Sequence, residues 1–470
     1  MINFHFSIKK IVLIFYVSLF TFHLSAQTVT QKLQKAFAAF EKDSQLKHAI
    51  SSLYVIDATT GVVVFDKSSQ IGLAPASTQK IITSVTAFEL LGKNYRYKTE
   101  FGSCIDWEKS VCFWINPSGD PTFGSWRWAS TNENNVLDSI LQSIRKFRDL
   151  KSFKGIIVNG NGWNSEQIPD GWIWQDIGNY YGAGAGILNW RENQYDLIMR
   201  SGEKIGDDVS VIGTVPNLYS YKFYSSVTSA EKGSGDNSYI YLPTNFAYAT
   251  VRGTIPVNED QFKISGAIVD PLNQFVKTLE DSLRSKFGWV PAKSLVITDT
   301  PWFLRKPQIF YTHYSPTLDS IIYWFNKKSV NLYGEALIKT FAYEKNGFGA
   351  TDSGVAIVKK FWKEKGMDEN EINIVDGSGL SPLNRVTTHA QVEILKYAKS
   401  KDWFLYFFNS LPEYNGMKIK SGTIRGVKGF CGYHKAKNGK EYIFSFLVNN
   451  YNGSASALVN KMYKVLDNLK

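Results

Sequence analysis

The chain has 470 residues, 44% of them hydrophobic, 15% aromatic and 20% charged, with a formal net charge of +11. Such a length and apolar content bury a full core in two or three domains, which excludes a disordered or fibrous chain. The lysines and arginines are scattered and form no Arg-rich cluster with interleaved aromatics. That argues against a nucleic-acid partner and leaves a basic, soluble surface that allows peripheral membrane contact.

In chain order, Lys9 and Lys10 precede the apolar run "IVLIFYVSLFTFHL", and small residues Ser25 and Ala26 follow it. This is the pattern of a signal peptide over residues 1–26, cleaved after Ala26. The run is short of the ~20 apolar residues a membrane span needs, and no stretch after Gln27 is long and apolar enough to cross a bilayer. The expected mature protein is exported. "TQKLQKAFAAFEKDSQLKHA" has helical spacing, and "ISSLYVIDATTGVVVFDKSS" alternates about a Thr-Gly turn, as a hairpin does. "APASTQKIITSVTAFELLG" reads as an apolar helix with Ser77 and Lys80 at its mouth.

From Tyr95 to Lys293 the texture changes to short strand-like runs between Gly, Asn, Asp and Ser turns, with one helix near the end, N-capped by Asp270. Cys104 and Cys112 flank a hairpin tip and are placed to pair in an oxidising compartment, a connectivity that sequence leaves open. Cys431 reads as a buried small hydrophobe. No CxxC, HExxH or His/Asp cluster suggests a metal, and no cofactor is expected.

Helices return after residue 294. Two of them are separated by a polar break at Asn326–Ser329. Next come two amphipathic helices and two strands joined at Asn438-Gly439, the first read as one run from Met417 to Ala436. A C-terminal amphipathic helix ends the chain. The simplest arrangement is an α/β (α+β) domain over 27–94 and 294–470, split by a β-rich region at 95–293 that holds two nested subdomains.

Ser77 and Lys80, three residues apart on a helix, share one face. A serine hydroxyl becomes a good nucleophile when a base takes its proton, and a lysine kept neutral by burial and nearby cations is such a base. The pair also reads as an ordinary helix start. Two further motifs decide the weighing. Ser329-Val330-Asn331 lies in the polar break, where a turn can aim a hydroxyl and a carboxamide into a cleft. Lys420-Ser421-Gly422-Thr423 lies at a strand edge, where glycine lets a substrate backbone approach. The order S-x-x-K, S-x-N, K-[ST]-G is the set found in β-lactamases and penicillin-binding proteins.

With these motifs the sequence resembles the D-alanyl-D-alanine carboxypeptidases/endopeptidases, the low-molecular-mass penicillin-binding proteins with a large insertion between the first two motifs. "NPSGDPTFGS", "GWIWQDIGNYYGAGAGILN", "VRGTIPVNEDQFKISGAIVDP" and "VDGSGLSPLNRVT" extend the resemblance over nearly the whole mature chain. The resemblance implies a serine β-lactamase/DD-peptidase-like fold, an antiparallel sheet flanked by helices. It implies a periplasmic enzyme that cuts D-Ala-D-Ala and D-Ala-diaminopimelate bonds of peptidoglycan stem peptides and that β-lactams inhibit.

By the same resemblance Ser77 is the acylated nucleophile and Lys80 its base. Ser329 relays protons to the leaving amine. Asn331 holds the acyl-side amide, Lys420 attracts the substrate carboxylate, and Ser421 hydrogen-bonds it. The backbone N–H groups of Ser77 and Thr423 form the oxyanion hole, and Gly422 is part of the same binding edge. Asp176 matches a position linked to the diaminopimelate amine. Two departures bear on specificity: Pro382 stands where relatives carry a basic residue, with Arg385 three positions on, and Arg425 replaces a polar uncharged residue. A relay of Asp376, Ser378 and His389 is the weaker alternative to a Gly-rich turn. Competing functions are a β-lactamase or esterase on the same scaffold and a non-catalytic wall-binding scaffold.

Overall fold

The computed structural model describes residues 27–106, 108–146, 153–244, 248–291, 293–298 and 306–470. The signal peptide read over residues 1–26 lies outside them. Helix α1 (Val29–Glu41) opens the described chain with a reciprocal cap: Gln31 N–H donates to the Thr28 hydroxyl and Thr28 N–H donates to the Gln31 side chain. Such a cap contributes about 1 kcal/mol. The predicted hairpin follows as β1 (Ile50–Asp57) and β2 (Val63–Lys67), then a 3₁₀ turn over Ala76–Gln79 that runs into α2 (Lys80–Leu90). Residues 80–88 of α2 are all buried, so this helix is interior rather than amphipathic.

The next region builds a five-stranded sheet in the order β12–β5–β4–β3–β13, from β3 (Lys98–Ile105), β4 (Val111–Asn116), β5 (Phe153–Asn159), β12 (Lys293–Thr298) and β13 (Gln308–Tyr314). Two helices pack in its core, α3 (Glu133–Ile144) and the expected Asp270-capped helix, here α5 (Pro271–Phe287). The sequence reading has no counterpart of α3, whose apolar positions lie within a run of Asn and Ser. The last strand of this sheet lies beyond residue 293, where the sequence set the end of the insertion, because β13 pairs with β3. Cys104 and Cys112 are directly opposed across β3 and β4, both buried and both free thiols.

Between β5 and α5 lie the short α4 (Trp174–Ile177) and two three-stranded sheets, β11–β6–β7 and β8–β10–β9. Their strands are β6 (Gln194–Arg200), β7 (Ser210–Val215), β8 (Lys222–Ala230), β9 (Asn237–Tyr241), β10 (Tyr248–Pro256) and β11 (Phe262–Ala267). They share a core of their own around Tyr195, Leu197, Val251 and Ile264.

The C-terminal part supplies α6 (Leu318–Lys327), α7 (Asn331–Asn346), α8 (Thr351–Glu364), a small pair β14 (Ile372–Asn373) and β15 (Arg385–Val386), α9 (Thr388–Lys399) and α10 (Phe404–Ser410). Strands β16 (Glu413–Tyr414), β17 (Met417–Ile424), β18 (Val427–Lys435) and β19 (Glu441–Asn449) then join β1 and β2 in a six-stranded antiparallel sheet, order β16–β17–β18–β19–β1–β2. The stretch read as one strand from Met417 to Ala436 is therefore a hairpin. It turns at Arg425-Gly426, where Gly426 adopts φ +71°.

Alternation along the central strands feeds two layers. Leu53, Val55, Phe444 and Phe446 face α1 and the C-terminal α11 (Ala455–Leu466), whereas Tyr54, Ile56 and Ile443 face α2, α7 and α9. This is the expected antiparallel sheet flanked by helices. Among the described residues no helix is long and apolar enough to cross a membrane.

Candidate active site

Two buried helices meet end-on at a cleft of about 1230 Å³. Lys80 begins α2 and Asn331 begins α7, and the two helices pack against each other. Lys80 Nζ is fully enclosed and lies 3.0 Å from Ser77 Oγ, 2.6 Å from Asn331 Oδ1 and 2.7 Å from the Ser378 carbonyl. Asn331 is held from its other end: its Nδ2 donates to the Tyr181 carbonyl at 2.7 Å. That fixes which end of the amide faces Lys80.

Lys420 Nζ, also buried, donates to Ser329 Oγ at 3.0 Å and to the Ser421 carbonyl at 2.8 Å. Both serine turns are strained. Ala76, just before Ser77, has φ +47° and Ser329 has φ +57°, a region that costs a side-chain-bearing residue on the order of 1 kcal/mol.

The electrostatics follow from burial. Enclosure, reinforced by the charge of Lys420, holds the Lys80 ammonium well below the usual lysine range. Burial brings Lys420 down to about 7. Near Lys80, burial and then the charge of Asp376 push the Glu335 carboxyl up to about 8, which lessens the negative charge it sets against the lysine. Burial raises Asp176 as well, while Tyr181 OH, donating to Oδ1 at 3.2 Å, works against that shift.

Gly422 carries the close approach that brings β17 to the Ser77 turn. A methyl group there would stand 2.6 Å from the Pro75 carbonyl oxygen and 2.9 Å from Ser77 N. Ile419 N–H turns away from β18 to the Pro412 carbonyl. With a strand period of two, the N–H groups of Ser421 and Thr423 face the same open edge. Thr423, Asp176 and Arg425 line the cleft with Ser77, Ser329 and Asn331. Thr423 Oγ1 accepts from Lys428 Nζ at 2.7 Å.

Pro382 lines the cleft too, but Arg385 turns to the carbonyls of Pro382 and Asn384. The cation on the far side of Gly422 is Arg425, at the β17–β18 turn.

The Asp376, Ser378 and His389 relay is not assembled. His389 Nδ1 faces Glu371 at 2.9 Å. Asp376 instead organises the loop 376–384, accepting from Gln79, Gly379, Ser381, Asn384 and Trp172 at 2.7–3.0 Å. That network sets the Ser378 carbonyl against Lys80. Two partners that sequence reasoning missed, the carbonyls of Ser378 and Tyr181, are backbone atoms and leave no trace in residue type. Glu335 sits four residues after Asn331, one helical turn along the same face, which is a usable signal.

In comparison with known proteins, residues 33–413 match the D-Ala-D-Ala carboxypeptidase 3 (S13) family. The chain belongs to that family. It is accordingly a serine-type D-Ala-D-Ala carboxypeptidase. It is 24% identical over 473 residues to a D-alanyl-D-alanine carboxypeptidase of Actinomadura sp. (strain R39), covering 91% of this chain and 83% of that one. It is 20% identical to the D-alanyl-D-alanine carboxypeptidase DacB of Haemophilus influenzae, covering 83% of each. The fold is that of the crystal structure of penicillin binding protein 4 (dacB) from Haemophilus influenzae, with a TM-score of 0.76 at 18% identity, covering 94% of this chain and 99% of that one.

Proposed function

We propose that Ser77 is the nucleophile of an exported, periplasmic DD-peptidase, and that Lys80 activates it. The carrying observation is the set of partners around Lys80 Nζ. A neutral amine has two N–H groups and one lone pair. Asn331 Oδ1 and the Ser378 carbonyl accept the two protons, which leaves the lone pair for the Ser77 hydroxyl, whose O–H then donates to it. Ser77 Oγ attacks the carbonyl of the penultimate D-alanine as Lys80 takes the proton. The Ser77 and Thr423 N–H groups stabilise the oxyanion.

Ser329 Oγ, held by Lys420, delivers a proton to the departing amine, and water releases the acyl group. Lys420 and Ser421 receive the C-terminal carboxylate. Where the departing amine belongs to diaminopimelate of a second stem peptide, the same steps open a cross-link. Asp176 and Arg425 then face the ammonium and the carboxyl group of that side chain. β-Lactams acylate Ser77 by the first half of this path. The domain assignment proposed with it is a catalytic unit of the two chain ends around the β-rich insertion.

The test is to incubate the mature protein with a fluorescent penicillin and follow the adduct by mass spectrometry. Stable label on Ser77, lost in Ser77→Ala, is the expected result. A folded protein that takes no label would leave a wall-binding scaffold. Label that comes and goes rapidly would mark a β-lactamase.

A further inference from the structure

The outer face of the β8–β10–β9 sheet carries rings that no core uses. Strand alternation sends Phe223, Val227, Ile240, Ala249 and Val251 inward and therefore turns Tyr224, Tyr239, Tyr241, Tyr248 and Arg252 outward. The register sets Tyr224 and Tyr241 on either side of Thr250 and places Tyr239 beside Arg252. Trp174 of α4 extends this face, its ring centroid 4.8 Å from that of Tyr241 and its Nε1 donating to the Leu242 carbonyl at 3.0 Å. The Arg252 guanidinium lies 5.4 Å from the Trp174 centroid and 4.7 Å from that of Tyr241. Tyr224 and Tyr248 are 63% and 52% exposed, so neither ring is there for packing.

None of the three strands contains an acidic residue. Tyr239 is at once part of this face and a wall of the cleft, with Asp176 and Tyr181. The ring-bearing face and the cleft are thus one continuous surface.

We propose that this face is a platform for the sugar strand of peptidoglycan, holding the polymer from which the stem peptide in the cleft hangs. A pyranose presents apolar C–H faces that stack on aromatic rings and a hydroxyl edge that pairs with tyrosine hydroxyls and guanidinium donors. Lys222 and Arg252 with no carboxylate between them suit a neutral or anionic polymer. Continuity with the cleft selects the glycan, since a stem peptide seated at Ser77 brings its own sugar strand to the rim. The proposal rests on the DD-peptidase reading of the cleft.

The test uses the full mature chain, its Tyr224→Ala/Tyr248→Ala variant, and peptidoglycan sacculi stripped of stem peptides by an amidase. Wild type sediments with the stripped sacculi, and the variant binds them about tenfold more weakly, the combined loss of two stacked rings. Turnover of intact peptidoglycan falls by a similar factor, while turnover of a free pentapeptide and penicillin labelling of Ser77 are unchanged. Equal binding of stripped sacculi by both proteins overturns the platform, as does an equal loss on polymer and free pentapeptide. Failure of penicillin labelling in a wild type that still sediments with stripped sacculi overturns the serine-peptidase reading and sustains the platform.

Discussion

At the scale of single residues, the proposed mechanism divides one task between two lysines. Lys80 serves as a base only when neutral, and its folded pKa is depressed, so the acylation rate should fall as pH drops through that value. The proposal has Lys420 serve as a cation, and burial brings its pKa down to about 7, so the charge is present below that pH and lost above it. For a peptide ending in free D-Ala-D-Ala, kcat/KM should therefore decline above about pH 7. The C-terminal amide, with no carboxylate to attract, should lack that alkaline limb. Parallel profiles for acid and amide would remove Lys420 from carboxylate binding. Gly422 sets the distance between strand and nucleophile. Gly422→Ala should cut the penicillin acylation rate about a hundredfold with the fold retained by circular dichroism, because a displacement of ~1 Å at reacting atoms costs that much. These side chains were legible in sequence order as three short motifs. Their backbone acceptors were not, since a carbonyl oxygen belongs to every residue.

At the scale of elements, helix α7 is held at its reactive end by the segment 181–193. Tyr181 O accepts from Asn331, and Tyr333 OH donates to Glu192 Oε1 at 2.7 Å. Arg127 donates to both oxygens of that carboxylate, at 2.7 and 3.0 Å. Glu192 is fully buried and Arg127 is largely covered at the edge of the cleft, so Glu192→Gln leaves Arg127 without its countercharge. A loss of about 3–5 kcal/mol in urea unfolding is expected. A loss under about 1 kcal/mol would class the pair with surface salt bridges. The order of helices and strands at both ends was readable from periodicity. The β17–β18 hairpin was not, because Arg425-Gly426 is a weaker turn signal than Asn438-Gly439 and apolar residues continue on both sides. Helix α3 escaped notice because its exposed face begins with Asn134, Asn135 and Asp138, residue types that elsewhere in the region mark turns.

At the scale of the molecule, the region proposed as an insertion supplies walls of the cleft, among them Asp176, Tyr181 and Tyr239. Besides the contacts above, Lys339 Nζ donates to the carbonyls of Glu166 and Ala185, and Trp172 Nε1 donates to Asp376 at 2.9 Å. Buried hydrogen bonds spread over so many points predict one cooperative transition for the whole chain in calorimetry. Two resolved transitions would show that sheet domain and insertion unfold independently. The sequence by itself determined the reaction class, because the side chains proposed as nucleophile, base, relay and carboxylate anchor form three motifs whose type and order are written in the chain. It also determined the alternation that buries the central sheet on both faces. Only the tertiary structure decided that Lys80 is buried beside a second lysine, which lowers its pKa, that Arg425 rather than Arg385 reaches the cleft, and that Tyr239 joins a ring-bearing face to the active centre. Burial, carbonyl direction and the meeting of distant segments arise from packing, and no local spacing encodes them.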